Sequence, residues 1–372
     1  MQLNFIKRLT LLLGSGIENL DRSFRRQILD YIWSQQSSDG GFSGRKGSGE
    51  IYYTSFALRA LALLGELQND IRTQKVFQFL DCYLKRILDL RDSKGQILLS
   101  GVDLTSFQFA AQLLEWTLDQ ELFTLNSLNK KDFLSRIWKQ YERPDGGFSS
   151  SLKSSYSSVY QSFLFGVSLQ LSDQTFSERR HQQIETFLWK QQQKNGGFSD
   201  LSVLRNSGTN PTVAALGLLE ILADWQVSHR VNQIEQSESH FRKFKQDCPI
   251  PESIDTKSQT KKLESNELDA TRRLIKSRAI QYLISQQMSD GGFKAHQKMP
   301  FSDLLSSFSA FVGLSMFYGD RIGSVIDIKS LSSFVDSLYS CQNGFRGGIW
   351  DSETDVEYAF YGLVLKSMLN AV

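Results

Sequence analysis

The sequence predicts an all-α protein built as a ring of six helix pairs. Two observations carry that prediction. A phrase recurs along the chain, made of a helix ending in Gln, a tight Gly-Gly-Phe turn, and a second helix rich in small apolar residues. The two helices flanking each turn also differ in kind. The first is amphipathic and belongs on the outside, whereas the second is apolar nearly all round and belongs inside.

The clear copies of the turn are Asp39-Gly40-Gly41-Phe42, Asp145-Gly146-Gly147-Phe148, Asn195-Gly196-Gly197-Phe198 and Asp290-Gly291-Gly292-Phe293. A variant reads Asn343-Gly344-Phe345, and a worn copy reads Ser93-Lys94-Gly95-Gln96-Ile97. Apart from one longer gap they stand about 50 to 55 residues apart, in the range of repeat architectures. Glycine lets the chain reverse at positive φ, and the Phe that follows can pin the turn. A Gln precedes the turn at Gln36, Gln193, Gln287 and Gln342.

Taken in order, residues 1–14 form an amphipathic helix laid on the ring. Lys7 and Arg8 break its apolar run, and no small-residue cleavage site follows, so it is not read as a signal peptide. Outer helices include Phe24 to Gln36, with Ile28, Leu29, Ile32 and Trp33, and Ile184 to Gln193, with Phe187, Leu188 and Trp189. Inner helices include Tyr53 to Leu64, Thr212 to Leu219 and Ser307 to Leu314. The longer gap holds a polar insertion at about 228–266. It is rich in Gln, Ser, Lys and Glu, and reads as a mobile loop or partly disordered excursion.

One ring uses nearly all 372 residues, so residues 1–372 form a single domain. A net charge of +2 without a basic stripe argues against a nucleic-acid partner. Cys82, Cys248 and Cys341 are far apart and read as free thiols of a reducing compartment. No stretch has the roughly eighteen apolar residues of a membrane span. The expectation is a cytoplasmic protein that could still touch a membrane surface peripherally.

The repeat, with its Gln and its Gly-Gly-Phe turn, resembles two related families: the β subunits of protein prenyltransferases and the class II terpene cyclases, squalene–hopene cyclase among them. The resemblance covers nearly the whole chain and implies an (α/α)6 barrel, or toroid. Complement-type thioester domains share the ring, but their Cys-Gly-Glu-Gln signature is absent here.

Resemblance to the transferases implies a zinc held by Asp and Cys two residues apart and by a later His. Asp303 matches the Asp, but Leu305 stands in the Cys place and Tyr358 in the His place. A lone carboxylate does not hold zinc. The four histidines (His181, His229, His240, His296) lie outside the starts of inner helices. The expectation is therefore no metal site and no obligatory α-subunit. The cyclases usually carry Asp-x-Asp-Asp, which is missing as well. Single-barrel class II cyclases of the merosterolic acid type, which close prenylated aromatic acids, are more similar in size, and there a lone Asp can serve as the acid.

Aligning the inner helices gives a row expected to face the cavity mouth: Tyr53, Tyr160, Pro211, Ser306 and Tyr358. Asp103 falls at this row or one place before it, in an otherwise apolar stretch. In a dry pocket its pKa would rise and it could act as the proton donor. The alternative is that Asp103 caps the helix opening at Leu104, which would lower its pKa. Should Asp103 not be the acid, Asp303 and Asp355 come next.

Aromatic faces stabilise cations without quenching them. Tyr53, Phe107, Tyr160, Phe308, Trp350, Tyr358 and Tyr361 are accordingly the candidate substrate-binding residues, although each could equally be core filling. Asp351, Glu353, Asp355 and Glu357 could hold Mg²⁺ at a diphosphate or simply favour a helix start. Arg45, Arg205 and Arg346 could pair with a substrate carboxylate or diphosphate.

The resemblance thus implies a class II-type terpene cyclase acting on a hydrophobic linear isoprenoid, prenylated aromatic acids included. Asp103 would protonate the distal alkene or epoxide, and no redox cofactor is required. The alternatives are prenyl transfer without zinc and an isoprenoid-binding toroid.

Overall fold

The computed structural model describes residues 3–89, 99–122, 130–244, 256–340 and 344–372. In chain order the helices are α1 (Phe5–Leu13), α2 (Arg22–Ser34), α3 (Ile51–Leu63), α4 (Ile71–Asp89), α5 (Gly101–Leu118), α6 (Lys130–Tyr141) and α7 (Val159–Leu171). They continue with α8 (Glu178–Gln191), α9 (Thr209–Phe244), α10 (Thr256–Ile284), α11 (Leu304–Tyr318), α12 (Ile328–Ser337) and α13 (Val356–Leu369). The odd-numbered helices from α3 onward form the inner ring. Each packs on the next, and α13 returns to pack on α3 and close it. Helix α2 and the even-numbered helices after it lie outside. The expected barrel of six helix pairs is the observed fold.

The turns explain why the ring forms. Phe42, Phe148, Phe198, Phe293 and Phe345 are all buried. Four of them donate their backbone N–H to a hydroxyl of the inner helix that follows. The acceptors are Thr54 at 2.9 Å, Ser162 at 2.9 Å, Thr212 at 2.9 Å and Ser307 at 2.8 Å. A Ser or Thr inside a helix is therefore a fixed part of the repeat, satisfying a donor that burial would otherwise orphan. Gly196 adopts φ 92°, and a Cβ there would collide with the carbonyl oxygen of Arg278 on the next outer helix.

The Gln before the turn has a definite task. The amide of Gln36 donates to Gly40 O and Arg72 O, both at 3.1 Å, joining the turn to the start of the next outer helix. Gln287 does the same with Gly291 O and Asp327 O. In the fourth repeat the residue in this role is Gln192, which donates to Gly196 O and Ile275 O, and not the expected Gln193. The worn copy at Ser93–Ile97, and Gln342 and Asn343 of the last turn, lie outside the described residues.

Loops at one end knit neighbouring repeats together. Val159 N donates to Asp200 O, Thr209 N to Ala295 O and Leu304 N to Gly347 O, so each loop caps the inner helix of the preceding repeat. Two short strands, β1 (Phe345–Arg346) and β2 (Thr354–Asp355), pair antiparallel in the last repeat. Arg45 in the first loop pairs with Asp351 in the last at 2.6 Å. The amphipathic α1 lies across the opposite end, packed on α7, α9, α11 and α13.

The insertion differs from expectation. Helix α9 continues to Phe244 and α10 begins at Thr256, so much of 228–266 is helical and not loop. Gln, Glu and Lys are good helix formers, and a helix already running has no nucleation cost to meet.

Candidate active site: the central cavity

The inner helices enclose a cavity of about 580 Å³, within the roughly 300–1,000 Å³ typical of small-molecule sites. Its mouth is where the inner helices begin, and its floor is closed by Phe5, Ile6, Leu9 and Leu13 of α1. Phe5 and Phe163 meet edge to face there at 5.9 Å. Helix α1 is latched to α9 by Asp224, which accepts from Phe5 N at 2.5 Å and from Arg8 at 2.7 Å.

Backbone pairing with the turn Phe residues fixes the register of the inner helices. Ser158, Gly208, Asp303 and Asp355 stand at equivalent places before α7, α9, α11 and α13, as do Glu50 before α3 and the cap Ser100 before α5. The residues two places further on are Tyr52, Val102, Tyr160, Asn210, Leu305 and Glu357, and all six line the cavity mouth. The expected row mixed two registers: Tyr160 belongs to this ring, while Tyr53, Pro211, Ser306 and Tyr358 are one place beyond it. One residue turns a helix by about 100°, which takes Tyr53, Ser306 and Tyr358 off the lumen, although Pro211 still lines it.

That step decides where Asp103 lies. It follows Val102 and does not line the cavity. Ser100 Oγ accepts from Asp103 N at 3.1 Å and donates to the Asp103 carboxylate at 2.8 Å, so α5 opens at Gly101 and not Leu104, and its cap is Ser100 and not Asp103. The Asp103 charge acts on Tyr83 of α4 and Tyr141 of α6, raising both phenols beyond what burial does, so it faces the outer layer. Asp303 and Asp355 do cap, accepting from Ser306 N and Tyr358 N at 2.7 and 2.9 Å. Burial raises the Asp303 carboxyl. Burial, reinforced by the charges of Glu357 and Asp351, lifts Asp355 to about 7.

Of the candidate aromatic residues, the structure brings Tyr160, Phe308 and Tyr361 into the cavity. Phe308 and Tyr361 stack at 4.4 Å. Phe107 is fully buried and stacks on Tyr83, away from the lumen. Tyr53 packs on Gly44 and Tyr358 on Gly347. Trp350 is exposed beside Phe301.

The polar chemistry of the cavity comes from residues not singled out as catalytic. Glu357 accepts from Tyr52 Oη at 2.7 Å and from Tyr361 Oη at 2.8 Å. Burial first, and then the Glu357 charge, hold both phenols well above their ordinary range. Arg59 lies deeper. Its guanidinium stands 4.1 Å from the Phe56 ring centre, 4.9 Å from Phe360 and 5.1 Å from Phe109, and Nε donates to Ser55 O. Burial lowers its pKa. Among the described residues it makes no ion pair, and it is the sole cation lining the cavity. The sequence hides it inside an apolar run, Phe56-Ala57-Leu58-Arg59-Ala60-Leu61, where a charge aimed at a lumen looks like a charge aimed at water.

The alternating acids of the last loop do not form one donor set. Asp351, Glu353 and Asp355 surround Arg45, while Glu357 turns inward to the tyrosines. Among the described residues no three His, Cys, Asp or Glu side chains gather in a way that could hold a metal ion. Arg346 donates to Ser337 O and Arg205 is exposed, so neither reaches the lumen.

A family model of the prenyltransferase alpha-alpha toroid domain matches residues 4–86, 81–245 and 260–372. No curated protein matches the chain. Among solved structures it is similar to Candida albicans protein geranylgeranyltransferase-I complexed with GGPP, at 16% identity and TM-score 0.59, covering 93% of this chain and 91% of that one. It is also similar to the type II terpene cyclase MstE from Scytonema, at 9% identity and TM-score 0.51, covering 95% and 98%. An unsaturated glucuronyl hydrolase specific for heparin matches at 11% identity and TM-score 0.55, covering 96% of each chain. At such identities these likenesses establish the fold alone, and proteins of quite different chemistry share it. With the family's domain matched along almost its whole length, this chain belongs to the prenyltransferase alpha-alpha toroid family.

Proposed function

We propose that this protein is an isoprenoid-processing enzyme that encloses a prenyl chain in its central cavity and isomerises it by proton transfer, as a class II-type cyclase does. The observation that carries this reading is the division of the cavity. Its wall is mostly apolar and partly aromatic down to the α1 floor, while polar groups are few: the Tyr52–Glu357–Tyr361 cluster, Asp200 and Asn210 near the mouth, and Arg59 deeper in among aromatic rings. The apolar wall suits the hydrocarbon. Arg59 suits a polar or singly charged end group. Glu357, when it carries a proton, would deliver it to a substrate carbon and, as the carboxylate, would accept the last proton back, with the Tyr52 and Tyr361 hydroxyls orienting it. One proton in and one proton out leaves substrate and product isomeric, which is the balance of a cyclisation.

Prenyl transfer from a diphosphate is less well supported. A diphosphate needs several cations, and here one arginine shares the lining with two carboxylates, Asp200 and Glu357. A second reading, isoprenoid binding without turnover, is favoured by one observation: Asp303 and Asp355 are helix caps, and Asp103 is held by the cap Ser100 off the lumen.

The test is to titrate the protein with geranylgeraniol, geranylgeranyl diphosphate and a geranylgeranylated benzoic acid, then incubate each in D₂O and analyse products. The expected result is binding, tightest for the carboxylate, with a deuterated cyclic isomer formed. Replacing Arg59 by Met should remove the preference for the carboxylate, by about ten- to a hundredfold. Binding without any deuterated product would support the second reading. No binding of any prenyl compound would overturn both.

A further inference from the structure

The end of the barrel that carries the cavity mouth is also its stickiest surface. Of the large apolar side chains that the described residues expose, Tyr156, Val203, Leu204, Ile349 and Trp350 project from the loops that precede α7, α9 and α13. The loop before α7 pairs with that before α9 through Ser158 and Leu201, and carbonyls of the loops before α9, α11 and α13 cap the inner helix of the preceding repeat, so these loops stand side by side around the mouth. The loop before α11 completes the arc, with Phe301 against Trp350 at 5.7 Å. Elsewhere exposed apolar residues such as Ile71, Trp116 and Leu274 occur one to a helix, as on any soluble surface.

These loops, and the loop before α3, also expose cations. Lys46, Lys153, Arg205 and Lys298 are exposed, and among the described residues none of them makes an ion pair. Most acids of these loops are engaged: Asp200, Asp303 and Asp355 cap helices and Asp351 and Glu353 pair with Arg45, while Glu50 before α3 is exposed and its side chain caps nothing. The rim therefore shows unpaired cations and apolar tips together, with Glu50, among the described residues, as its exposed unpaired acid.

From this juxtaposition we infer that the mouth end of the toroid docks on an anionic lipid bilayer. The cations meet the headgroups, the apolar tips enter the boundary with the acyl chains, and the cavity opens onto the membrane. Lysine and arginine near an anionic surface and aromatic residues at the boundary are the two contributions such docking requires. Among the described residues no helix is long and apolar enough to cross a membrane, so the contact is to one face. This inference stands on surface residues alone and is independent of the reaction.

The experiment is sedimentation of the full chain with vesicles of phosphatidylcholine, with and without phosphatidylglycerol, at low and high salt. The expected result is binding to the anionic vesicles that weakens with salt. The double variant Lys153→Glu/Arg205→Glu should bind roughly thirtyfold or more weakly. Val203→Asp/Leu204→Asp should also lose binding, and an unchanged melting temperature would show both variants folded. A control at the opposite end, Leu11→Asp, should bind like the parent. Failure to sediment with either vesicle overturns the inference in favour of a protein partner for this face. Binding that the rim variants leave intact but Leu11→Asp abolishes overturns it in favour of docking through α1.

Discussion

The hydroxyl of Tyr52, in the first inner helix, donates to the carboxylate of Glu357, in the last, at 2.7 Å across the seam where the ring closes. The same carboxylate receives Tyr361 at 2.8 Å. The polar cluster of the cavity is thus assembled from the two ends of the chain, residues that no local motif could have paired.

Replacing Glu357 by Gln removes the charge while keeping the shape. Formation of any cyclised product should fall by about 10²- to 10⁴-fold, the usual contribution of a positioned acid or base, while prenyl binding persists. The phenols report independently of turnover. Without the neighbouring charge, Tyr52 and Tyr361 should ionise at lower pH, which alkaline titration of tyrosine absorbance can follow.

Asp355 makes stability depend on pH in an unusual direction. Burial above all raises it to about 7 in the folded protein, against roughly 3.9 when unfolded. The native state holds this proton more tightly, so its contribution is complete below about pH 4 and is lost as pH rises toward 7. Carboxylates held low, such as Asp21 by Ser23, act oppositely but in a more acidic window. The melting temperature should therefore decline between pH 5 and 8, and Asp355→Asn, which keeps a capping oxygen, should flatten that decline.

The repeat turn can be tested at one glycine. Gly196→Ala combines positive φ with a collision against Arg278 O, and should cost about 2–4 kcal/mol in chemical unfolding. Gly65 has φ 72° but open space around it, so Gly65→Ala should cost only about 1 kcal/mol. Equal losses would mean that the close approach of turn and outer helix contributes nothing.

The floor should measure chain length. Phe5 and Leu9 end the cavity, and Phe5→Ala or Leu9→Ala would open space beneath the substrate. Binding across a series of prenyl alcohols should shift its optimum by about one isoprene unit toward longer chains, since each buried CH₂ contributes roughly 0.8 kcal/mol. An unmoved optimum would place the end of the tail elsewhere.

The ring was legible because its grammar is local: a glycine turn, a pinning Phe, and a contrast between amphipathic and apolar helices. The site was legible only in part. Tyr160, Phe308 and Tyr361 lie where the repeat suggested, but Asp103 misses the lumen by one residue because its repeat has no clear turn to set the register. Arg59 and Glu357 were passed over as cavity groups for different reasons. The arginine sits in an apolar run, and the glutamate in a string of acids that resembles an ordinary helix start. The helices within 228–266 were missed because polar composition was taken to mean loop, although composition speaks to burial and not to backbone conformation.

Because Arg45 reaches Asp351 and α13 packs on α3, the toroid has no end repeat. An open solenoid can fray from its termini and can lose a repeat while the remainder stands. Here the last helix pair is a neighbour of the first, so deleting any one unit leaves two unpaired faces and an opened cavity. The circle should come apart in a single cooperative step.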